Sequence, residues 1–206
     1  MNILITAGPT HEPIDAVRYI ANRSSGKMGA ALAGAARRAG HAVTLIAGPV
    51  SVSLPPGITR IDVRTAAEMA DAVAREFPRH DLLIMAAAVA DYRPKMPFPG
   101  KLARKDSLHI ELEPTPDIVA SASAQKRPDQ RTIGFSLEAA GGIGRAKQKL
   151  SQKKLDIIVF NPIETMNSDT IAAVLLYSDG REEDLGPRGK DEFADLLTDR
   201  SIALLI

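Results

Sequence analysis

Short apolar runs alternate with amphipathic stretches along nearly the whole chain. Ile3–Thr6 reads as a buried strand, Gly26 to Arg38 as a helix with Gly40 as its stop signal, and His41–Ile46 as a second strand ended by Gly48-Pro49. Thr59–Val63 follows as a third strand. Thr65–Phe77 reads as an amphipathic helix opened by a capping box, with Glu68 three residues after Thr65. Asp81–Ala87 is a near-continuous apolar run of the kind that fills the middle of a parallel sheet. Arg93 to Ser107 holds Pro94, Pro97, Pro99 and Gly100 among basic residues, and reads as a long irregular loop. Beyond it, Pro116–Ala124 is a short helix with proline in its first turn, Thr132–Phe135 a strand, Ile143–Lys154 a helix and Asp156–Phe160 a strand. Ile171–Tyr177 and Glu182–Leu185 flank an Asp-Gly hairpin signal at Asp179-Gly180, and Lys190–Leu204 is the closing helix.

Repeated strand–helix–strand units predict an α/β fold. The expected form is a Rossmann-like three-layer sandwich, its sheet mostly parallel with a C-terminal antiparallel hairpin. Ligands of such folds sit beyond the carboxyl ends of the strands. That rule gathers the turns after Thr6, Ala87, Glu113 and Phe135 at one rim. At 206 residues the chain is long enough for one domain with its own core, and 45% apolar residues mark it as globular. A net charge of +1 argues against a nucleic-acid surface, and with no tryptophan and 4% aromatics there is little to stack bases on. The absence of cysteine excludes disulfides and thiolate chemistry. No apolar run approaches a membrane span, so a cytoplasmic protein is the simplest expectation.

The first thirty residues carry the strongest chemical signal. The strand runs into Ala7-Gly8-Pro9-Thr10, and Asn22-Arg23-Ser24-Ser25-Gly26-Lys27-Met28-Gly29 opens an alanine-rich helix. A strand, a glycine turn and a helix start make a place for an anion. The spelling is not that of the common phosphate loops. A Walker A loop ending at Gly26-Lys27 needs glycine at Ala21 and a hydroxyl at Met28. The dinucleotide fingerprint fails because Gly8 is followed by Pro9 and Thr10. Arg18 and Asn22 share a face if their stretch is helical. Ala86-Ala87-Ala88-Val89-Ala90-Asp91 ends the central strand in small residues that let a flat ligand approach. Asp91 can serve ribose hydroxyls, a magnesium ion or simply a cap. Lys95, Lys101, Arg104 and Lys105 make the proline-rich loop a basic flap or a solvated stretch. Thr115-Pro116-Asp117-Ile118-Val119 starts a helix, with Thr115 and Pro116 read as its capping residues. Arg145, Lys149 and Lys153 recur every four residues, an exposed face or a polyphosphate contact. His11, His41, His80 and His109 are scattered without metal-ligand spacing.

Three function classes bear on this pattern. A short-chain reductase needs lysine four residues after a tyrosine, and Tyr19, Tyr92 and Tyr177 all lack it. A non-catalytic nucleotide-binding module explains the rim and leaves the basic flap without a purpose. A nucleotide-dependent ligase uses every motif.

The spellings Ile5-Thr6-Ala7-Gly8-Pro9-Thr10, Glu12-Pro13-Ile14-Asp15 with Val17-Arg18-Tyr19-Ile20, Ser24-Ser25-Gly26-Lys27-Met28-Gly29 after Asn22, and Ala87-Ala88-Val89-Ala90-Asp91-Tyr92 resemble phosphopantothenoylcysteine synthetase. The resemblance runs through Pro116-Asp117-Ile118-Val119 and Gly134-Phe135 to Lys149 and Lys153. It implies one synthetase domain over residues 1–206, with a flexible flap near 93–107. The implied reaction is CTP-dependent joining of 4′-phosphopantothenate to L-cysteine through an acyl-cytidylate, with Mg2+, in a homodimer that shares its sites. A flavin decarboxylase domain can precede such a synthetase in one polypeptide. Carried over by position, Asn22 contacts the acyl-cytidylate, and Arg18 and Ala88 hold phosphopantothenate, partly across the dimer interface. Met85, Ala86 and Ala87 line the nucleotide, and Asp91 meets its ribose. Lys101 is the flap lysine. Pro116, Asp117, Ile118, Val119 and Phe135 form the base pocket, Lys149 and Lys153 contact the triphosphate, and Gly8 makes the glycine turn. The bacterial flap often reads Lys-x-Lys-Lys. Here it is Lys101-Leu102-Ala103-Arg104, so Lys101 alone is carried over as a catalytic lysine.

Overall fold

A computed structural model of the chain describes residues 1–104, 106–139, 141–165 and 168–205. Lys105 of the basic stretch lies outside the described residues. In chain order the elements are β1 (Asn2–Ala7), β2 (His11–Pro13), β3 (Tyr19–Ala21), α1 (Lys27–Arg38), β4 (Ala42–Ala47), β5 (Thr59–Asp62), α2 (Ala66–Glu76), β6 (Leu82–Met85), β7 (Tyr92–Pro94), β8 (Leu112–Pro114), α3 (Ile118–Gln125), β9 (Arg131–Glu138), α4 (Ile143–Gln152), β10 (Ile157–Pro162), β11 (Thr170–Tyr177), β12 (Glu182–Gly189) and α5 (Lys190–Ala203).

The main sheet runs β12-β11-β10-β9-β6-β1-β4-β5. Its six strands from β5 to β10 pair in parallel. The hairpin β11–β12 continues it antiparallel. Parallel strands buried on both faces need apolar residues at successive positions, and β1 supplies them. Ile3 and Ile5 cluster with Leu32 of α1 and with Phe193 and Leu197 of α5. Leu4 turns the other way, onto Met69 and Val73 of α2, Phe77 just after it, and Ile118 of α3. Ala146 and Leu150 of α4 cover Ile158 and Leu176. The result is the three-layer sandwich, with α1 and α5 on one face and α2, α3 and α4 on the other.

Helix α2 starts where its capping box predicts, with the Thr65 side chain accepting from the Glu68 amide and Glu68 answering the cap. A second carboxylate joins them. Buried Glu12 accepts from the Ala66 amide at 2.8 Å, which favours the positive end of the helix.

Four local readings are corrected. The loop between Gly8 and Gly29 carries the antiparallel hairpin β2–β3, so Arg18 and Asn22 lie on extended chain and not on a helical face. The irregular loop expected from Arg93 begins later, because β7 pairs antiparallel with β8. Glu113 therefore belongs to this small sheet and does not end a strand of the main one. The turn expected after Phe135 comes after Glu138, where β9 ends. Helix α3 is capped by Asp117, whose side chain accepts from the Ala120 amide at 3.1 Å. Pro116 precedes it, and the Thr115 hydroxyl donates to the Ala90 carbonyl at 2.5 Å. The short strands escaped notice because three residues carry no readable alternation.

Gly29 sets how closely α1 approaches β1. A Cβ there lies 2.4 Å from Ala7 Cβ and 2.9 Å from Ala7 Cα. Gly29→Ala gains about 0.5–1 kcal/mol of helix propensity. It loses about 1–3 kcal/mol by overpacking against backbone. The expected outcome is a net loss, read as a lower urea midpoint. A midpoint at or above the wild-type value contradicts the close approach.

Candidate active site

The sheet places its crevice by connectivity. Crossovers from β1 work outward through β4 and β5, and those from β6 work outward the opposite way through β9 and β10. Helix α1, after β1, packs on one face, and α2, before β6, on the other. Between β1 and β6 the connections part, and the carboxyl ends of both strands are left uncovered. A cleft of about 680 Å³ opens there.

Asn22, Met85, Ala86, Ala87, Ala88, Asp91, Pro116, Asp117, Ile118, Val119, Phe135, Lys149 and Lys153 all line this cleft. Gly8, Arg18 and Lys101 do not. Gly8 forms the turn beneath it. Its φ of +80° suits glycine, a Cβ there lies 2.6 Å from Val50 Cγ1, and its carbonyl accepts from the Ala88 amide at 2.8 Å. Arg18 and Lys101 sit together away from the cleft. The segment around Lys101 docks on the β2–β3 turn, where the Phe98 amide donates to the Ile14 carbonyl and the Ala16 amide to the Gly100 carbonyl.

The cleft wall at Ala86–Ala90 is held by short polar side chains. The Ala87 amide donates to Thr6 Oγ1 at 3.1 Å, and the Ala90 amide to Thr10 Oγ1 at 3.0 Å. Asn22 Nδ2 donates to the Val89 carbonyl at 2.9 Å and the Ala88 carbonyl at 3.4 Å. These bonds fix the amide plane of Asn22 at the edge of the cleft. Phe135 is half-buried and set edge-on to Phe193, with centroids 6.5 Å apart.

The cations of α4 are already paired. Glu138 holds Lys149 Nζ at 2.6 Å and Arg145 at 3.3 Å. Asp117 holds Lys153 at 2.9 Å. Like charges four residues apart on a helix repel, and along Arg145, Lys149 and Lys153 these carboxylates relieve that repulsion. The hydrogen bond from Lys149 holds the Glu138 carboxyl below its ordinary value, against the opposing cost of burial.

Two more ammonium groups reach the cleft from the opposite side. Lys27 Nζ pairs with Asp169 at 2.6 Å. Lys190 bonds the Ser168 carbonyl. Burial, and then the nearby charge of Lys27, push its ammonium below the usual lysine value. Lys27 stands in the glycine motif. Lys190 was missed because it opens a helix far along the chain with no motif about it. Asn161, Ile163 and Ile171 also line the cleft and were missed. Among the described residues no group of three or more His, Cys, Asp or Glu is placed to hold a metal ion, and no helix is long and apolar enough to cross a membrane.

The family model for the DNA/pantothenate metabolism flavoprotein C-terminal domain matches residues 1–204. The coenzyme A biosynthesis bifunctional protein CoaBC of Escherichia coli is 43% identical over 210 residues, covering 98% of this chain and 52% of that protein. The chain therefore spans about half the length of such relatives. The crystal structure of the C-terminal domain of a CoaBC protein is 36% identical, with a TM-score of 0.83, covering 98% of this chain and 95% of that one. A Cab2 mutant in complex with phosphopantothenate-cysteine has the same fold at 16% identity, with a TM-score of 0.76 over 98% of this chain and 88% of that one.

Glu138 gives a pH test of the paired state. A carboxyl with a depressed folded pKa contributes stability that is fully present above its unfolded pKa, about 4.3. That stability is lost as pH falls through the folded value. Glu138→Gln is expected to lower stability by about 1 kcal/mol at pH 7. The gap to wild type should close in acid, measured as urea midpoints from pH 7 down to pH 3. A gap independent of pH contradicts the pairing.

Proposed function

The chain belongs to the family of the DNA/pantothenate metabolism flavoprotein C-terminal domain, and from that membership we propose that it is a CTP-dependent phosphopantothenate–cysteine ligase of coenzyme A biosynthesis. The observation that carries this reading is the cleft at the parting of β1 and β6. In it Asn22, the Met85–Ala88 backbone, Asp91, Lys149 and Lys153 face one volume. A reaction that brings a carboxylate to a triphosphate needs these two kinds of contact side by side.

The carboxylate oxygen of 4′-phosphopantothenate attacks the α-phosphorus of CTP. The bond to the β-phosphate oxygen breaks, pyrophosphate leaves, and an acyl-cytidylate forms. The amine of L-cysteine then attacks the acyl carbon, loses a proton, and expels CMP. Both steps bring anions together or develop negative charge, so prepositioned cations and N–H donors lower their barriers. Lys149 and Lys153 would meet the triphosphate. The Met85–Ala87 backbone, Asp91 and the Pro116–Val119 segment would hold cytidine, with Phe135 against the base. Asn22 and Ala88 would hold the acyl group, with Arg18 at phosphopantothenate and Lys101 from the flap at the phosphates.

Magnesium fits only as a partner of the nucleotide. Asp91 offers one carboxylate at the cleft, and Mg2+ is usually held by one or two carboxylates together with substrate phosphates. When bound it neutralises phosphate charge.

Exposed large apolar residues support a homodimer. Val17, Tyr19, Tyr92, Met96, Phe98, Leu108, Ile110 and Leu112 are exposed on the two small sheets and the loop between β7 and β8. Such patches mark association surfaces. These two small sheets and the loop between β7 and β8 form an arm that holds Arg18 and Lys101 outside their own cleft, where a second copy can receive them. The chain is read as one synthetase domain. A flavin decarboxylase domain in the native polypeptide would supply the length by which this chain falls short of the bifunctional relatives.

Pyrophosphate release with each nucleoside triphosphate, with phosphopantothenate and with or without cysteine, tests the reaction, alongside the mass in solution. Release confined to CTP, needing phosphopantothenate but not cysteine, is the expected result. Release without phosphopantothenate, or equally with all four nucleotides, refutes it. Asn22→Asp replaces a donor with an oxygen facing the Ala88 and Val89 carbonyls. The first turnover of pyrophosphate should survive, while conversion of the acyl-cytidylate to the cysteine adduct slows roughly 10²-fold. Single-turnover conversion at the wild-type rate removes Asn22 from that step.

A further inference from the structure

We propose that Asp15 is a positioning residue that locks Arg18 and the flap lysine Lys101 into one unit, an inference that rests on the ligase reading above. The Asp15 side chain is fully buried, and its two oxygens have separate tasks. Oδ1 accepts from the Val17 amide at 2.8 Å and the Arg18 amide at 2.7 Å. That is a local turn, which an asparagine can also make. Oδ2 accepts from Arg18 Nε at 2.9 Å, from Arg18 Nη2, and from the Leu102 amide at 3.1 Å.

Leu102 lies 87 residues away in sequence, so this second oxygen does what no local turn requires. Arg18 Nη2 returns the contact by donating to the Leu102 carbonyl at 2.8 Å. The Ala16 amide meanwhile donates to the Gly100 carbonyl at 3.0 Å. Lys101 is thus pinned on both sides by the turn that carries Arg18, while its own side chain stays exposed. Arg18 remains 45% exposed even with three N–H contacts committed. Both cations face outward from one buried carboxylate. The hydrogen bond from Arg18, then the backbone amides, hold the Asp15 carboxyl far below its ordinary range against the cost of burial. The clamp is therefore charged throughout the neutral range.

A carboxylate is required because both oxygens face N–H donors, and an asparagine has only one acceptor oxygen. Asp15→Asn keeps the turn through its amide oxygen. Its NH2 group then meets the Leu102 amide and the guanidinium, donor against donor. Hydrogen exchange at the Leu102 amide of the full chain is expected to speed up at least about tenfold, with Val17 and Arg18 unchanged. Turnover with CTP should fall roughly 10- to 10²-fold, and KM for phosphopantothenate should rise several-fold with little change for CTP. In a Lys101→Gln background the further loss in kcat should shrink to under about twofold.

Losses that multiply in the double variant overturn the proposal, as does unchanged exchange at Leu102. Faster exchange at Val17 and Arg18 as well makes Asp15 a folding residue and also overturns it. Leu102→Pro deletes the same N–H with Asp15 in place, and serves if Asp15→Asn does not fold. The same kinetic losses support the clamp and wild-type kinetics refute it. A wild-type protein without CTP-dependent pyrophosphate release defeats the ligase reading, and exchange at Leu102 still decides the clamp by itself.

Discussion

The parting of the chain between β1 and β6 is the constraint on which the rest depends. Each parallel connection must return over one face of the sheet, and these two return over opposite faces. No helix can close the gap. Backbone groups at the ends of β1 and β6 are left outside the regular ladder, where each needs some other partner. The sequence supplies these locally through the Gly8 carbonyl, Thr6 Oγ1, Thr10 Oγ1 and Asn22 Nδ2. Polar residues a few positions apart therefore do structural work at the rim. They also hold the Ala86–Ala90 wall in a fixed shape, with side chains too small to obstruct a ligand. Gly29 lets α1 come down onto the end of β1 at Thr6 and Ala7.

Three of the ammonium groups in the cleft already hold a carboxylate partner. Lys149 has Glu138, Lys153 has Asp117, and Lys27 has Asp169. Binding a polyphosphate is then an exchange of carboxylate for phosphate partners, not the filling of a bare cationic site. The Lys153–Asp117 pair is half-exposed, and such pairs contribute about 0–1 kcal/mol, so it is cheap to trade for phosphate. Lys149 instead would leave a buried Glu138 with Arg145 as its remaining cationic partner. The far side differs. Lys27 and Lys190 open α1 and α5, where the helix dipole disfavours a cation. Asp169 against Lys27 is the local compensation, and burial adds to the strain on Lys190.

The elements legible in the sequence were those with long periodic signals. The buried strands, the capping box at Thr65 and the Asp-Gly hairpin follow from side-chain pattern alone. So does the place of the Ala86–Asp91 segment, because topology puts strand ends at one rim. Pro116–Val119 instead reaches that rim from the small β7–β8 sheet, with the Thr115 hydroxyl donating to the Ala90 carbonyl. The two small sheets were not legible, and with them the place of Arg18 and Lys101. Their strands are three residues long and are specified by contacts distant in sequence. Lys190 was hidden for a similar reason: it reaches the cleft only because α5 packs back against α1. Resemblance named Arg18 and Lys101 as partners in one reaction, but only geometry shows them joined.

The acidic residues of the opening motif bear on how function should be read from residue type. Glu12 and Asp15 lie in a conspicuous polar segment beside a nucleotide-type cleft, where carboxylates suggest metal binding or proton transfer. Neither lines that cleft. Glu12 is spent on the Ala66 amide at the start of α2, and Asp15 on the turn and Leu102. The Asp15 carboxyl, satisfied by the Arg18 guanidinium and backbone N–H donors, is held ionised and is a poor proton carrier at neutral pH. What the two acids provide is attachment: one end of the arm is tied to the sheet's helical layer, the other to the loop that carries Lys101. An arm that holds two outward-facing cations needs such anchoring more than it needs further charge. Each unfixed long side chain gives back up to about 2 kcal/mol of conformational entropy when it is immobilised. Asp15 lowers that cost in advance for Arg18, and together with the Ala16 amide it fixes the backbone on both sides of Lys101.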